Sequence, residues 1–226
     1  MYSLSPAEVY PILTTIPLFK GVSAQDLAIV QERVRMRRVT IDPEEEIVRQ
    51  GDPCRRIIVV MEGRIRVETT SSHRDYKLTE WSEDTQIIEL EQLYGLDQQY
   101  ARTYTAETEV KCIVIEKDDI RRVLMHLDIW RINLLNMLSM RQTRYATLVH
   151  DTPAASLEEL ILRFVRFRSL YAHGDKRLHI RQSDLGRYIG ATRLVISGAL
   201  HKLQRKGVLT MNRGIITFHR TDIPTR

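Results

Sequence analysis

The sequence predicts an α+β chain. It reads as an N-terminal double-stranded β-roll of the jelly-roll kind, then one long helix, then a C-terminal helix–turn–helix closed by a strand pair. Three observations predict this. Short β-type runs separated by turn residues fill 39–116. Residues 118–149 contain no Gly or Pro and keep a helical period. Residues 183–218 hold two short helical patterns around a glycine, followed by two β-type runs around Asn212-Arg213-Gly214.

Taken in order, residues 1–36 read as helical. Pro17-Leu18-Phe19 leads to Gly21-Val22-Ser23, and Ser23 is placed to cap a helix carrying Leu27, Val30 and Val34. From about Val39 the period shortens. Ile47-Val48, Ile57 to Val60, and Ile65, Val67 and Thr69 are β-type runs. Between them stand the turn residues Gln50-Gly51-Asp52-Pro53 and Glu62-Gly63. More runs follow at 85–90, 100–105 and 110–115, the spacing of a sandwich or roll. Helix returns at Lys117. Leu134, Leu138, Arg141, Tyr145 and Leu148 recur at 4,3,4,3 spacing, a coiled-coil seam, and are the expected dimer interface. Leu127, Trp130, Ile132, Leu135 and Met137 form a second apolar face, so one face can pack at home and the other on a partner helix. His150 to Ala155, with Pro153, breaks the pattern. The expected domains are therefore 1–116, 117–150 and 151–226. Ser156 is placed to cap a helix bearing Leu160, Phe164 and Phe167, and Asp175-Lys176 marks a turn.

Composition narrows the function classes. The 226 residues are 43% hydrophobic and 28% charged, enough for a core, which excludes a mostly disordered chain. No apolar run approaches the ~18 residues of a membrane span. No basic start precedes an apolar block, so the expectation is a soluble, cytoplasmic chain with no membrane partner. Cys54 and Cys112 alone supply neither a disulfide framework nor a four-thiolate metal site. Charge is uneven. Residues 151–226 carry 14 Lys+Arg against 6 Asp+Glu, net +8, while residues 1–150 carry 20 against 23, net −3. A basic third joined to an acidic two-thirds points the C-terminal module at a polyanion.

The most informative stretch runs from Asp184 to Leu209. Ser183 is placed to cap a first helix with Leu185 and Ile189 inside. Gly190 ends it, because a tight turn between helices favours a residue that accepts positive φ. Thr192 is placed to cap a second helix, in which Ile196, Leu200 and Leu203 face inward at i, i+4, i+7. Arg193, Ser197, His201 and Gln204 fall on another face. Lys206-Gly207 closes the helix, and Val208 to Met211 with Ile215 to Phe218 make a β-wing. This is the pattern of a winged helix-turn-helix. Such a second helix enters the major groove with its first turn against the bases. Arg193 lies in that turn and suits bidentate contact to guanine. Ser197 and His201 follow along the groove. Lys202, Arg205, Lys206 and Arg213 are placed for phosphates, which give affinity without sequence information. Gly198, inside the helix, permits close approach to DNA or to a neighbouring helix.

Four stretches together resemble the Crp/Fnr family of bacterial transcription regulators: Pro17 to Val30, Glu45 to Thr70, Ala106 to Leu124 and Asp184 to Leu209. The resemblance covers nearly the whole chain. It implies a cyclic-nucleotide-binding-like β-roll as sensor, a dimerisation helix and a DNA-binding winged helix. It also implies a homodimer on a near-palindromic operator of double-stranded DNA and, for an activator, RNA polymerase as a partner.

The sensor departs from the cAMP-binding members. Their phosphate cassette has a Gly-Glu pair and an Arg-Ser or Arg-Thr pair about ten residues on. Here Glu89 matches the Glu, Ile88 stands at the Gly, and Arg102-Thr103 falls 13 residues after Glu89. The helix turn that offers Ser or Thr to adenine in those members holds Arg141, Gln142, Thr143, Arg144 and Tyr145. Glu89, Arg102, Thr103, Arg141, Arg144 and Tyr145 are the candidate effector residues, for a different ligand or a plugged pocket. The reading is an effector other than cAMP, or none. The alternatives are a cAMP-responsive regulator with a shifted cassette, or a haem- or redox-sensing one. The family's iron–sulfur branch uses clustered N-terminal cysteines, and none precedes Cys54. Cys54 reads as a surface cysteine in a turn and Cys112 as core. His73, His126 and His150 are candidate haem ligands without diagnostic spacing. In the recognition helix Leu194 replaces the family's Glu and Gly198 its second Arg, which implies a different operator. An enzyme is not expected: 39–116 holds one histidine, His73, too few for a metal cupin, and no phosphate loop, dinucleotide turn or nucleophile elbow occurs. Glu44-Glu45-Glu46 reads as a solvated turn.

Overall fold

The structure is a computed structural model. It describes residues 2–3, 6–149, 154 and 156–219, with side chains for 11–143, 154 and 156–219. In chain order the elements begin with β1 (Tyr2–Ser3), α1 (Pro6–Thr15) and α2 (Ala24–Arg33). Strands β2 (Met36–Ile41), β3 (Glu46–Val48), β4 (Arg56–Glu62), β5 (Ile65–Thr70) and β6 (Tyr76–Ser82) follow. Next come β7 (Gln86–Ile87), β8 (Thr103–Ala106), β9 (Val110–Glu116), α3 (Lys117–Arg122) and α4 (Asp128–Val149). The last are α5 (Leu157–Arg168), β10 (Lys176–Ile180), α6 (Gln182–Ile189), α7 (Arg193–Arg205), β11 (Leu209–Asn212) and β12 (Ile215–Phe218). The described residues fall into two compact units. One holds those of 1–64, 83–101 and 105–147, the other those of 65–82, 102–104 and 148–226.

The first unit is built on an antiparallel sheet in the order β1-β2-β9-β4-β7. β4 pairs with β9 along one edge and β7 along part of the other, and Ile57 to Val60, which alternate between its faces, are all buried, so both faces are covered. A strand covered on both faces reads as a continuous apolar run rather than an alternation. The register shifts between Val60 and Glu62, and the chain then turns at Gly63, φ +99°. A Cβ there would stand 2.3 Å from the Glu109 carbonyl oxygen, so only glycine fits. Ser23 caps α2 as expected, accepting from Asp26 N–H at 3.1 Å.

Four local expectations are corrected. Tyr2–Ser3 is a strand paired with Arg37 and Arg38 of β2, not helix. The run expected over 85–90 is a strand only at Gln86–Ile87; the chain then turns at Glu89, φ +35°, into a 3-10 turn at Leu90–Leu93. The helix expected from Lys117 onward is broken: α3 ends at Arg122 and a 3-10 turn at Leu124–His126 precedes α4. No Gly or Pro marks that break. Its anchor is tertiary: buried Asp119 accepts from Arg35 N–H at 3.1 Å and from the Arg122 guanidinium, while Val123, Leu124 and Leu127 bury in the turn. Cys54, expected at the surface, is 1% exposed, and burial raises its thiol pKa. Cys112 is core as expected, its pKa pushed up to about 12 by burial.

In the second unit β5 and β6 form a hairpin, β6 pairs with β10, β10 with β12 and β12 with β11, all antiparallel. Leu78 of the hairpin lies opposite Leu178 of β10, and both belong to one core with Phe164, Leu185, Ile196, Leu200 and Phe218. Two charges are buried in this unit. Glu80 and Lys176 are 0% and 1% exposed, with Nζ 3.4 Å from Oε1. The Glu80 carboxylate also accepts from Leu170 N–H (2.8 Å) and Tyr171 N–H (3.1 Å), and Lys176 Nζ donates to the His173 carbonyl (2.5 Å). Lys176 therefore opens a strand, where the sequence marked a turn. Ser156 caps α5, accepting from Glu159 N–H at 3.2 Å.

Candidate functional site

Local sequence fixes the geometry of α6 and α7. Gly190 takes φ +78°, and the N–H groups of Gly190 and Ala191 both donate to the Gly186 carbonyl, at 2.8 and 2.9 Å. That tight turn lets α7 start three residues later. Thr192 caps it, accepting from Val195 N–H at 3.5 Å. Ser183 does not cap α6; the cap position belongs to Arg181, without a side-chain bond, and Ser183 lies inside the first turn.

Ile196, Ala199, Leu200 and Leu203 bury one face of α7. The opposite stripe, at i, i+4, i+7, i+11, is Leu194, Gly198, His201 and Arg205, all exposed. The outward face is thus turned from the expected line of Arg193, Ser197, His201 and Gln204. Thr192, Arg193, His201 and Gln204 are exposed, and Ser197 is half-buried. No acidic residue stands in the first turn of α7, so nothing opposes the positive end of the helix dipole. Arg193 and His201 share a groove with Arg213, Asn212 and Met211 of the wing, and with Arg181, Gln182 and Ser183 at the start of α6. Sequence reasoning missed Arg181 and Gln182 there, since nothing in the pattern shows that the start of α6 comes beside the wing. Arg205, Lys206 and Arg213 are exposed. Lys202 is exposed but lies 3.2 Å from Glu158 of α5, which helps hold that carboxyl below its ordinary value behind the larger effect of the Glu158 N–H.

Of the candidate effector residues, Glu89 and Arg141 belong to the first unit and Arg102 and Thr103 to the second. Ile88 and Glu89 are both 2% exposed, and the Glu89 carboxylate accepts from Ala101 N–H at 2.5 Å. The Arg141 guanidinium bonds the Glu91 carboxylate and donates to the Ile87 carbonyl at 3.1 Å. Arg102 and Thr103 are half-buried and Thr143 is exposed. The side chains of Arg144 and Tyr145 lie outside the described residues. His73 and His126 are exposed, and His150 lies outside the described residues. Among the described residues no group of three or more His, Cys, Asp or Glu side chains is placed to hold a metal ion.

On α4 the described part of the expected seam has contacts within its own unit. Leu134 is 5% exposed, Leu138 is half-buried and Arg141 is bonded to Glu91, all within one unit. Tyr145 and Leu148 of the same seam lie outside the described side chains. Among the described side chains of α4, the large apolar residues left in solvent are Ile129, Ile132, Leu135 and Met140, from 40% to 73% exposed. Among the described residues no helix is long and apolar enough to cross a membrane.

Two family models match this chain. One, for the cyclic nucleotide-binding domain, covers 38–126; the other, for the Crp-like helix-turn-helix domain, covers 157–222. No curated protein sequence matches. Among solved structures, a transcriptional regulator of the Crp/Fnr family from Eubacterium rectale is 17% identical, with 91% of this chain and 94% of that chain covered and a TM-score of 0.54. The sensor domain of the transcriptional regulator DNR from Pseudomonas aeruginosa is 18% identical, over 67% of this chain and 98% of that one, with a TM-score of 0.52. At these identities the two structures establish a shared fold.

Proposed function

The chain belongs to the Crp/Fnr family of transcription regulators, and from that premise we propose that it is a homodimer that binds a near-palindromic operator in double-stranded DNA through α7 and the wing. The observation that carries this reading is the first turn of α7. It is capped by Thr192, free of acidic residues, and presents Arg193 beside Arg213 of the wing and Arg181 in one groove. Arg193 reads a base edge, while Arg205, Lys206 and Arg213 engage phosphates. The net +8 of residues 151–226 supplies the salt-dependent part of the affinity. The proposed division is 1–116 as sensor, 117–150 as dimer helix and 151–226 as DNA-binding module, with the β5–β6 hairpin of the first stretch packed in the same unit as the last. The regulator is cytoplasmic, not an enzyme, and contacts RNA polymerase where it activates.

The sensor residues depart from the cAMP-binding pattern. Isoleucine stands at the glycine position, Arg102 falls 13 residues after Glu89, the Glu89 carboxylate is buried and accepts from Ala101 N–H, and Arg141 is paired with Glu91. The effector is therefore something other than cAMP, or absent. A partner helix meets α4 on Ile132, Leu135 and Met140, because Leu134 and Arg141 are already committed at home.

Selection from a pool of random duplexes by the purified full chain tests the reading. It should enrich one near-palindromic sequence with half-sites about one helical turn apart. Recovery of the pool unchanged would overturn it.

A further inference from the structure

The outward stripe of α7 is not uniformly polar. Its C-terminal half carries His201 and Arg205, but its N-terminal half carries Leu194, 82% exposed, and then Gly198. Val195, 52% exposed, flanks Leu194 in the same first turn. A single exposed leucine needs no explanation. Here two branched apolar side chains stand in the turn that presents Arg193. One turn further on, a Cβ added at Gly198 would meet no atom within 4 Å. The helix is thus bare where it projects furthest and apolar where a base edge would first be met. The feature on a base edge that an aliphatic side chain can recognise is the C5-methyl of thymine, which projects into the major groove.

Resting on the DNA-binding reading above, we propose that Leu194 is a specificity-determining residue that packs on a thymine methyl in each half-site, with Gly198 letting the helix come close enough for that contact. Arg193 then reads a guanine by charge and hydrogen bonds, and its neighbour reads a thymine by shape. The basic residues around it, Arg193 and Arg205 on the helix and Lys206 at its C-cap, commit the patch to duplex DNA rather than to a protein surface, since an apolar protein partner gains nothing from them.

The test uses the selected duplex and the full chain. Each thymine is replaced in turn by deoxyuridine, which removes the methyl alone, and affinity is read by fluorescence anisotropy at one salt concentration. One thymine per half-site should weaken binding about fourfold, the worth of one buried methyl. Leu194→Ala should bind the unmodified duplex more weakly and show no further loss at that thymine. Its thermal midpoint should match the parent, because the side chain is exposed. If no deoxyuridine position weakens the parent, or if Leu194→Ala keeps the same sensitivity, the assignment is wrong while DNA binding stands. Loss of dimer mass in Leu194→Ala with methyl sensitivity intact would make the leucine a protein contact and likewise overturn it. Failure to select any sequence would instead remove the parent reading.

Discussion

Arg193 and Gly198 lie on one helix five residues apart and make opposite demands. Arg193 is exposed beside a groove it shares with Arg213, and its guanidinium can reach a guanine edge in two hydrogen bonds. Arg193→Ala is expected to cost about 1–3 kcal/mol on the selected operator and to leave affinity for a scrambled duplex little changed. Anisotropy against both duplexes measures the difference; an equal loss on each would make Arg193 a phosphate contact. Gly198 weakens its own helix by ~1 kcal/mol relative to alanine, and a Cβ there meets nothing within the chain. Gly198→Ala should therefore raise the thermal midpoint and lower operator affinity together. A stabilised variant with unchanged DNA binding would show that the glycine is merely tolerated. Both residues were legible in the sequence. The direction of the helix was less so, because Arg193, Ser197 and His201 also keep helical spacing, and only the burial of Ile196, Ala199, Leu200 and Leu203 turns Leu194 and Gly198 outward.

At the scale of elements, legibility follows how locally each element is determined. β4 and β9 are buried on both faces and announce themselves as apolar runs. The caps at Ser23, Ser156 and Thr192 satisfy N–H groups three residues away and were readable for that reason. β6 and β10 were not readable. Their inward residues include Glu80 and Lys176, which look like surface charges until their partner, far along the chain, is in place. Removing one charge of such a pair leaves the other buried and uncompensated. Glu80→Ala is expected to destabilise the second unit by roughly 3–5 kcal/mol in urea denaturation. Glu62→Ala, which breaks the exposed pair with Lys111, should leave the midpoint where it was. Equal midpoints for the two variants would mean that the Glu80–Lys176 pair is not buried in solution. The faces of α4 show the same limit. Its 4,3,4,3 seam is real as a period, but the first unit claims Leu134 and Arg141. Leu135→Glu should give monomers by light scattering, and a dimer mass would return the contact to some other face.

For the whole molecule, charge and chemistry divide the work. Residues 151–226 carry the net +8 and the helix proposed to meet bases; residues 1–150 are net −3. The family resemblance implies a sensor that answers to a ligand, and the departures of its cassette, Ile88 at the glycine position and Arg102 falling 13 residues after a buried Glu89, are what argue against cAMP as that ligand. A ligand shifts such a protein only if it binds one arrangement of the dimer better than another. If no ligand is needed, the purified chain already holds its DNA-binding form. The direct measurement is anisotropy of the purified, ligand-free full chain on its selected duplex at one fixed salt concentration, with and without cAMP. The expected result is tight, saturable binding that cAMP leaves unchanged and that a scrambled duplex does not reproduce. Binding that appears only with cAMP, or that is equally tight on the scrambled duplex, would contradict it.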